Sequence, residues 1–233
     1  MRRYGVYYAP AEGAPLTRAA SAWLGRSVFT GAALAPPKTE GLSREQWESI
    51  TADPCVYGFH ATLKPPFHLA EGHHAEELRE GLRKFAACRR PFDVSLQLGS
   101  IGGFLALVLA HPSPEFAQLA ADCVRDFDRF RAAPNPDELA RRRRGRLNEA
   151  QLAYLMQWGY PYVMEEWRFH MTLTASLDAP ILEMAGRQLS AIFEPICREP
   201  LRVDSVCLFE QPEPGPGNPA TCGACIPTRF PRI

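Results

Sequence analysis

Apolar residues recur along this chain with two different periods. Segments in which every second residue is apolar predict strands, and segments with apolar residues three or four positions apart predict helices. Pro65-Pro66 is expected to stop the strand before it, because proline cannot donate to a sheet ladder. The first part of the chain is therefore predicted to run strand, helix, loop, strand, helix, hairpin and helix, over residues 3–9, 16–24, 31–54, 56–64, 75–89, 92–110 and 116–130.

The second part repeats this order after an insertion. Residues 131–160 contain an arginine-rich helix and a second helix that Asn148 can cap and Gly159 can end. Both the strand at 56–64 and the strand predicted after the insertion are followed by helix, strand and strand, which indicates an internal duplication. The predicted elements after the insertion are a strand at 163–174, a helix at 181–193, a strand at 201–209, a Pro/Gly-rich loop at 211–219 and a last strand.

The two predicted strands that open the repeats carry nearly the same five residues. Phe59-His60-Ala61-Thr62-Leu63 and Phe169-His170-Met171-Thr172-Leu173 differ only at the middle position. Alternate side chains of a strand share a face, so each histidine lies beside its threonine and opposite the apolar residues. Lys64 and Arg168 fall on the same faces. Two such matches arise in about 2% of random arrangements of this composition, so coincidence explains them poorly.

Two histidines that face each other can act as an acid and a base. An imidazole has a pKa of about 6.5, so near neutral pH one ring can accept a proton while the other donates one. Phosphodiester cleavage needs both transfers, because the nucleophile loses a proton and the leaving oxygen gains one. Thr62 and Thr172 can donate to non-bridging phosphate oxygens, and Lys64 and Arg168 can add positive charge. This scheme requires no metal and no cofactor.

With these motifs the sequence resembles the two-histidine phosphoesterase superfamily, a group of cyclic phosphodiesterases and RNA ligase-like proteins marked by two His-x-Thr/Ser-hydrophobic motifs. The resemblance covers essentially the whole chain. It implies an α+β fold in which two pseudo-symmetric lobes of antiparallel sheet, with helices on their outer faces, enclose a central cleft. By sequence, the lobes of this single domain, 1–233, would be 1–130 and 161–233, with the helical insert 131–160 between them.

The resemblance also implies roles for individual residues. His60 and His170 would be the acid–base pair, in an order that the resemblance leaves open, and Thr62 and Thr172 would bind the phosphate. The implied reaction is metal-independent opening of cyclic phosphates or cleavage of 2′-5′ linkages.

A closer resemblance is to the branch described as phosphonate metabolism proteins, which is associated with carbon–phosphorus lyase operons. It rests on the run Phe59–Phe67, on Trp158–Val163 and on Phe169–Thr174. For that branch, the implied substrate is a phosphoribosyl cyclic phosphate. Nucleoside 2′,3′-cyclic phosphates, 2′-5′ RNA and a non-catalytic module that binds a nucleotide or an RNA end remain alternatives.

The composition of the chain limits the kinds of binding partner that we expect. Lys plus Arg and Asp plus Glu both number 26, so no global field recruits a polyanion, and a small-molecule cyclic phosphate is favoured over RNA. No apolar stretch approaches the ~20 residues of a membrane helix and no signal segment is recognised, so we expect a cytoplasmic protein without a membrane partner. Seven cysteines are expected to be reduced thiols. Cys222 and Cys225 form a metal-like pair, but a zinc site needs four ligands.

The run Arg141, Arg142, Arg143 and Arg144 is the strongest local charge in the sequence. Four consecutive arginines on a helix point in all directions, so a solvated helix is the favoured interpretation. The alternative is a lid over the cleft whose arginines hold a phosphate-rich substrate.

Overall fold

Helices and antiparallel strands alternate along the chain, and the computed structural model describes residues 2–37, 39, 41–143, 145–211 and 225–231. Two single-turn 3₁₀ helices lie at Asp128–Phe130 and Met164–Glu166. Strands β1 to β9 span, in chain order, Arg3–Tyr8, Ala61–Phe67, Phe92–Val94, Leu96–Ile101, Phe104–Leu109, Met171–Thr172, Leu201–Val203, Ser205–Gln211 and Cys225–Arg229. Helices α1 to α7 span Pro15–Leu24, Arg44–Tyr57, Ala75–Ala87, Pro114–Asp126, Pro136–Arg142, Glu149–Trp158 and Ala179–Phe193.

The strands form two main antiparallel sheets. One has the order β2-β1-β8-β9 and the other the order β4-β5-β6, while β3 and β7 form a short separate pair. Helix α3 packs against β8 and β9, and helix α7 packs against β4 and β5. Helices therefore cover a face of each main sheet, and the expected α+β fold is confirmed.

The expected duplication is present in the order of the elements. β2 is followed by α3, β3, β4 and β5, and β6 is followed by α7, β7, β8 and β9. Each motif strand, however, shares a sheet with the hairpin of the other copy: β2 with β8 and β9, and β6 with β5. The sequence division into 1–130 and 161–233 therefore does not follow the sheets, because strand pairing joins segments that are far apart in the chain.

The helix ends follow local sequence rules. Gly25 and Gly159 end α1 and α6 in the left-handed conformation, which glycine adopts without a steric penalty. The predicted cap at Asn148 is confirmed as part of a capping box with Gln151. Side chains that accept a hydrogen bond from the first helical turn cap five helices, at Ser43, Ser113, Asn135, Asn148 and Asp178.

Helix α2 replaces much of the loop predicted for residues 31–54. Ser43 and Gln46 form a capping box at its start, and Pro54 lies inside the helix. Proline has no N–H, so the carbonyl of Ile50 loses its helical donor. That carbonyl accepts from Ala175 N at 2.6 Å instead. The bond ties α2 to the chain just after the second motif.

Both motif strands differ from their predicted bounds. β2 continues through Pro65-Pro66 to Phe67, because it is an edge strand, where a missing N–H need not break a ladder. The second strand is only Met171–Thr172, and a 3₁₀ turn at Met164–Glu166 replaces the predicted start at 163. Met164 has φ +54°, which ends extended pairing there.

A single large hydrophobic cluster joins the two main sheets. Phe59, Leu63, Met171 and Leu173, four of the six apolar residues of the two motifs, are fully buried in it. Their burial holds each motif strand with its apolar face inward and its polar face outward. In the described part of the chain, no helix combines the length and the apolar character that crossing a membrane would require.

Candidate active site

The two histidines have equivalent positions in the fold. Each stands immediately before its motif strand, and each ring is held by the backbone carbonyl two residues earlier. His60 Nδ1 donates to Gly58 O at 3.0 Å, and His170 Nδ1 donates to Arg168 O at 2.9 Å. A carbonyl oxygen can only accept, so Nδ1 carries the proton in the neutral ring. Nε2 is therefore the atom of each ring that can take up a proton from a substrate or a water.

The histidines and the threonines of both motifs line one cavity of about 340 Å³. Thr62 lies on β2, where it pairs with Tyr7, and Thr172 lies on β6, where it pairs with Ala106. The residues of this histidine cavity thus come from two different sheets. Its other lining residues are Asp53, Pro54, Tyr57, Gly58, Phe104, Thr174, Ala175 and Ser176.

His60 is enclosed by aromatic rings. Tyr7 stacks on it with ring centroids 4.3 Å apart, and Phe209 and Tyr57 lie at 5.5 and 6.2 Å. Burial lowers the pKa of His60 from 6.5 to about 4; the hydrogen bond to Gly58 O opposes this shift, and the charge of His170 adds to it. His60 is therefore neutral at pH 7 and able to accept a proton.

Two tryptophan side chains fix the motif strands. Trp167, two residues before the second motif, donates its indole N–H to the carbonyl of Thr62 in the first motif at 2.9 Å. Trp23, on α1, donates to the carbonyl of Leu173 at 2.8 Å. The first of these bonds links the chain just before the second motif to the first motif, so the distance between the two polar faces is set partly by a side chain.

A second cavity, of about 520 Å³, adjoins the histidine cavity and shares Thr62, Phe104 and His170 with it. We call it the adjoining cavity. Its volume falls in the range of small-molecule sites. Its remaining lining residues are Leu63, Pro65, Ile101, Gln151, Tyr160, Tyr162, Glu166, Trp167 and Arg168.

Lys64 does not join His60 and Thr62, contrary to the expectation from alternation. Tyr7 pairs with Thr62 whereas Val6 pairs with Lys64, so one step on β1 corresponds to two on β2, which is a β-bulge. The bulge turns Lys64 into the interior, where it is 1% exposed. Burial lowers its pKa to about 8, against the opposing effect of the Asp128 carboxylate.

Lys64 belongs instead to a buried ion network. Its Nζ lies 3.1 Å from Asp128 Oδ1 and donates to Val124 O at 3.0 Å. Arg131 holds the same carboxylate with Nε and Nη2, at 2.7 and 3.1 Å, and also donates to Gln157 O. The network therefore connects β2 with the end of α6.

The arginine run lies outside both cavities as far as it is described. Arg142 pairs with Glu138, lies 5.0 Å from the centroid of the Tyr160 ring and lines a further cavity that neither His60 nor His170 borders. Arg141 is exposed and lines a separate cavity, and Arg143 contacts Met156 Sδ. Arg144 lies outside the described residues. Arg168, by contrast, lines the adjoining cavity.

Sequence reasoning missed several residues that line the two cavities. Tyr160 and Tyr162 stand in a run that carried only the family resemblance, and Gln151 and Glu166 lie in segments with no motif of their own. A signal was present for Gln151, since Asn148-x-x-Gln151 is a capping-box pattern. Cys222 lies outside the described residues, so a zinc site at Cys222 and Cys225 remains a prediction. Residues 212–219 of the loop predicted at 211–219 also lie outside the described residues, so that part of the prediction is untested.

Comparison with known proteins gives the family. Residues 62–217 match the family described as "Protein of unknown function (DUF1045)". The chain belongs to the DUF1045 family. The matched segment includes Thr62, His170 and Thr172, and it begins two residues after His60.

Curated relatives of this DUF1045 chain are longer proteins. One, from Janthinobacterium sp. (strain Marseille), is named ribose 1,5-bisphosphate phosphokinase PhnN and is 38% identical over 220 residues, 92% of this chain and 49% of that protein. Another, of the same name, from Laribacter hongkongensis (strain HLHK9), is 34% identical over 213 residues, 91% of this chain and 49% of that protein. The chain thus spans about half the length of the curated relatives it matches.

Proposed function

We propose that this protein is a metal-independent phosphodiesterase that opens a cyclic phosphate by acid–base catalysis with two histidines. The observation that carries the proposal is the histidine cavity itself. His60 and His170 share it with Thr62 and Thr172, and both rings are oriented through Nδ1 in the same way. A phosphate between the rings would meet a proton acceptor, a proton donor and two hydroxyl donors.

The surroundings of the rings favour one order of roles. His60, neutral at pH 7 because burial lowers its pKa to about 4, is suited to take a proton from an attacking water. The water oxygen forms a bond to phosphorus, and the bond from phosphorus to one ring oxygen breaks. His170, whose ring hydrogen bond is more exposed to solvent, then donates a proton to that leaving oxygen. Thr62 and Thr172 donate to the non-bridging oxygens, where charge develops.

The substrate that we propose is a ribose 1,2-cyclic phosphate that also carries a 5-phosphate. Breaking its bond between phosphorus and O2 leaves one phosphate on O1 and one on O5, which is ribose 1,5-bisphosphate. Ribose 1,5-bisphosphate appears in the name of the curated relatives. The resemblance to the phosphonate metabolism branch implies a phosphoribosyl cyclic phosphate as the substrate. The protein would then act in phosphonate catabolism, immediately before a kinase that consumes its product.

The kinase reaction in the relatives' name is not proposed for this chain. A P-loop for nucleotide phosphates requires a lysine directly after a glycine. Lys38, Lys64 and Lys84 are the lysines of the sequence, and none follows a glycine. The proposal therefore places the kinase reaction in the half of the relatives that this chain does not match.

Turnover of the cyclic phosphate tests the proposal directly. The wild-type chain is expected to convert it to a single bisphosphate in a phosphorus NMR time course, with equal rates in EDTA and in buffer. His60→Ala and His170→Ala should each lower kcat by roughly 10²- to 10⁴-fold, because each removes one proton transfer. The matched control is His111→Ala, since His111 is exposed and lines neither cavity.

Two results would contradict the proposal. Loss of activity in EDTA would indicate a metal-dependent mechanism. Near-normal rates in both histidine variants would show that the pair does not act as acid and base. The substrate set should include nucleoside 2′,3′-cyclic phosphates and 2′-5′-linked dinucleotides. Tight binding of every compound without any product would instead favour a binding module.

A further inference from the structure

Arg168 differs from the other arginines near the cleft. Arg131 is paired with Asp128, and Arg142 is paired with Glu138. The guanidinium of Arg168 has no ion-pair or hydrogen-bond partner within the described part of the chain, although its carbonyl holds His170. It is exposed and lines the adjoining cavity. An unpaired cation in a substrate-sized cavity is available to an anionic ligand.

The acidic residue of the adjoining cavity, Glu166, forms no ion pair with this cation within the described part of the chain. The carboxylate of Glu166 accepts from the amide of Gln151 at 2.7 Å and from that of Asn148 at 3.4 Å. Both amides belong to the capping box that begins α6. The hydrogen bonds of Glu166 are therefore made to the start of α6, and the guanidinium of Arg168 is left to face the cavity without an ion-pair partner.

We propose that Arg168 binds the distal phosphate of the substrate, the one that is not opened, and so selects ribose cyclic phosphates that carry a second phosphate. This inference rests on the proposed function and assigns the adjoining cavity to the non-reacting end of the substrate. Arg168 is thereby a specificity-determining residue rather than part of the clamp on the reacting phosphate.

The positions of the two cavities support this assignment. Arg168 does not line the histidine cavity, where the proposed function assigns Thr62 and Thr172 to the reacting phosphate. It lies two residues before His170, so the two Cα atoms are at most about 7 Å apart. Phosphates on C1 and C5 of one ribose are separated by a comparable distance. Thr62, Phe104 and His170 border both cavities, so one small ligand can occupy both.

The walls of the adjoining cavity fit a sugar between two phosphates. Tyr160, Tyr162 and Trp167 contribute aromatic surface, against which the carbon face of a ribose can pack. Arg168 is the only Lys or Arg among the described residues that line either cavity. A ligand with several further phosphates would lack partners there, so the site fits one distal phosphate.

A substrate pair isolates the contribution of Arg168. Ribose 1,2-cyclic phosphate with and without a 5-phosphate would be compared in the wild type and in Arg168→Gln. We expect KM for the 5-phosphorylated substrate to rise roughly 10- to 100-fold in the variant, as for loss of a charged hydrogen bond, with kcat little changed. KM for the other substrate should stay within about two-fold.

Arg168→Lys and Arg187→Gln complete the set of variants. Lysine keeps the charge but loses the two-pronged geometry, so it should recover part of the lost affinity. Arg187 is an exposed arginine on α7 that pairs with Glu183, and its replacement should leave KM unchanged for both substrates.

Calorimetry of the wild type and of Arg168→Gln with both compounds separates this inference from the proposed function. A wild-type chain that turns over neither compound but binds the 5-phosphorylated one more tightly, through Arg168, would refute the enzyme and retain the inference. The inference would be overturned if Arg168→Gln lost the same affinity for both compounds, or lost affinity for neither. A wild type that prefers nucleoside cyclic phosphates and is indifferent to Arg168→Gln would also overturn it.

Discussion

At the scale of single residues, His60 depends on a glycine two positions earlier. Gly58 has φ +74°, and a Cβ at this position would lie 3.0 Å from Val28 Cβ. Any other residue would combine a strained backbone with a close contact. The carbonyl of this same glycine holds the His60 ring. Gly58 thus fixes both the path into β2 and the tautomer of the proposed base.

Stability at acidic pH should reveal the lowered pKa of His60. The native ring takes up a proton only near pH 4, whereas the unfolded chain does so near the ordinary value of about 6.5. Between these values the unfolded state binds more protons, so the free energy of unfolding falls as pH is lowered from about 6.5 to 4.

His60→Gln should remove this part of the pH dependence. The measurement is urea unfolding of the wild type and the variant at several pH values, with His111→Ala as the control. As pH falls from about 6.5 to 4, the free energy of unfolding should decrease more for the wild type than for His60→Gln. A difference that is constant from pH 7 to pH 4 would mean that His60 titrates normally.

At the scale of elements, the network of Lys64, Asp128 and Arg131 joins the first motif strand to the insert. The strand supplies His60's neighbour Thr62, and the insert leads through Gly159 into Tyr160 of the adjoining cavity. Gly159 leaves room for this link, because a Cβ there would lie 3.1 Å from Arg131 Nη1. The acidic member, Asp128, accepts hydrogen bonds from both cations, so it is the centre of the network.

Asp128→Asn should be much more damaging than Lys64→Met. The first change leaves Lys64 buried without a counter-charge, and loss of one partner of a buried pair costs about 3–5 kcal/mol, reduced here because Asp128 is 24% exposed. The second removes the buried charge and leaves Asp128 with Arg131, so it should cost less. Chemical denaturation compares the two, and equal losses would show that Lys64 stabilises the fold independently of Asp128.

At the scale of the whole molecule, each main sheet combines strands that come before the insert 131–160 with strands that come after it. β1 lies between β2 and β8, and β5 pairs with β6. Fragments 1–130 and 131–233 would each expose unpaired strand edges and half of the common core. The two segments 1–130 and 131–233 are therefore expected to depend on each other for folding.

Neither fragment is expected to fold alone, whereas the two expressed together should associate. Amide dispersion in NMR spectra of each fragment and of the mixture would measure this. The full chain is the control. A dispersed spectrum from fragment 131–233 by itself would contradict the prediction, because that fragment lacks β1 and β5, the partners of β8 and β6.

The sequence by itself determined most of the helices and strands and the side of each motif strand on which histidine and threonine lie. Local rules act between neighbours, so Asn148, Gly159 and the apolar faces around Phe59 and Met171 could be read directly. The same pattern placed histidine and threonine on one face of each motif, and the α+β class was implied by the resemblance to the two-histidine phosphoesterase superfamily.

Only the tertiary structure decided which residues meet. The bulge that turns Lys64 inward depends on the register with β1, and the Trp167–Thr62 bond joins residues 105 positions apart. Pro65-Pro66 remained in a strand because that strand lies at a sheet edge. The exchange of hairpins between the copies and the adjoining cavity depend on long-range pairing and packing. These are properties of distant segments together, and no period within a single segment encodes them.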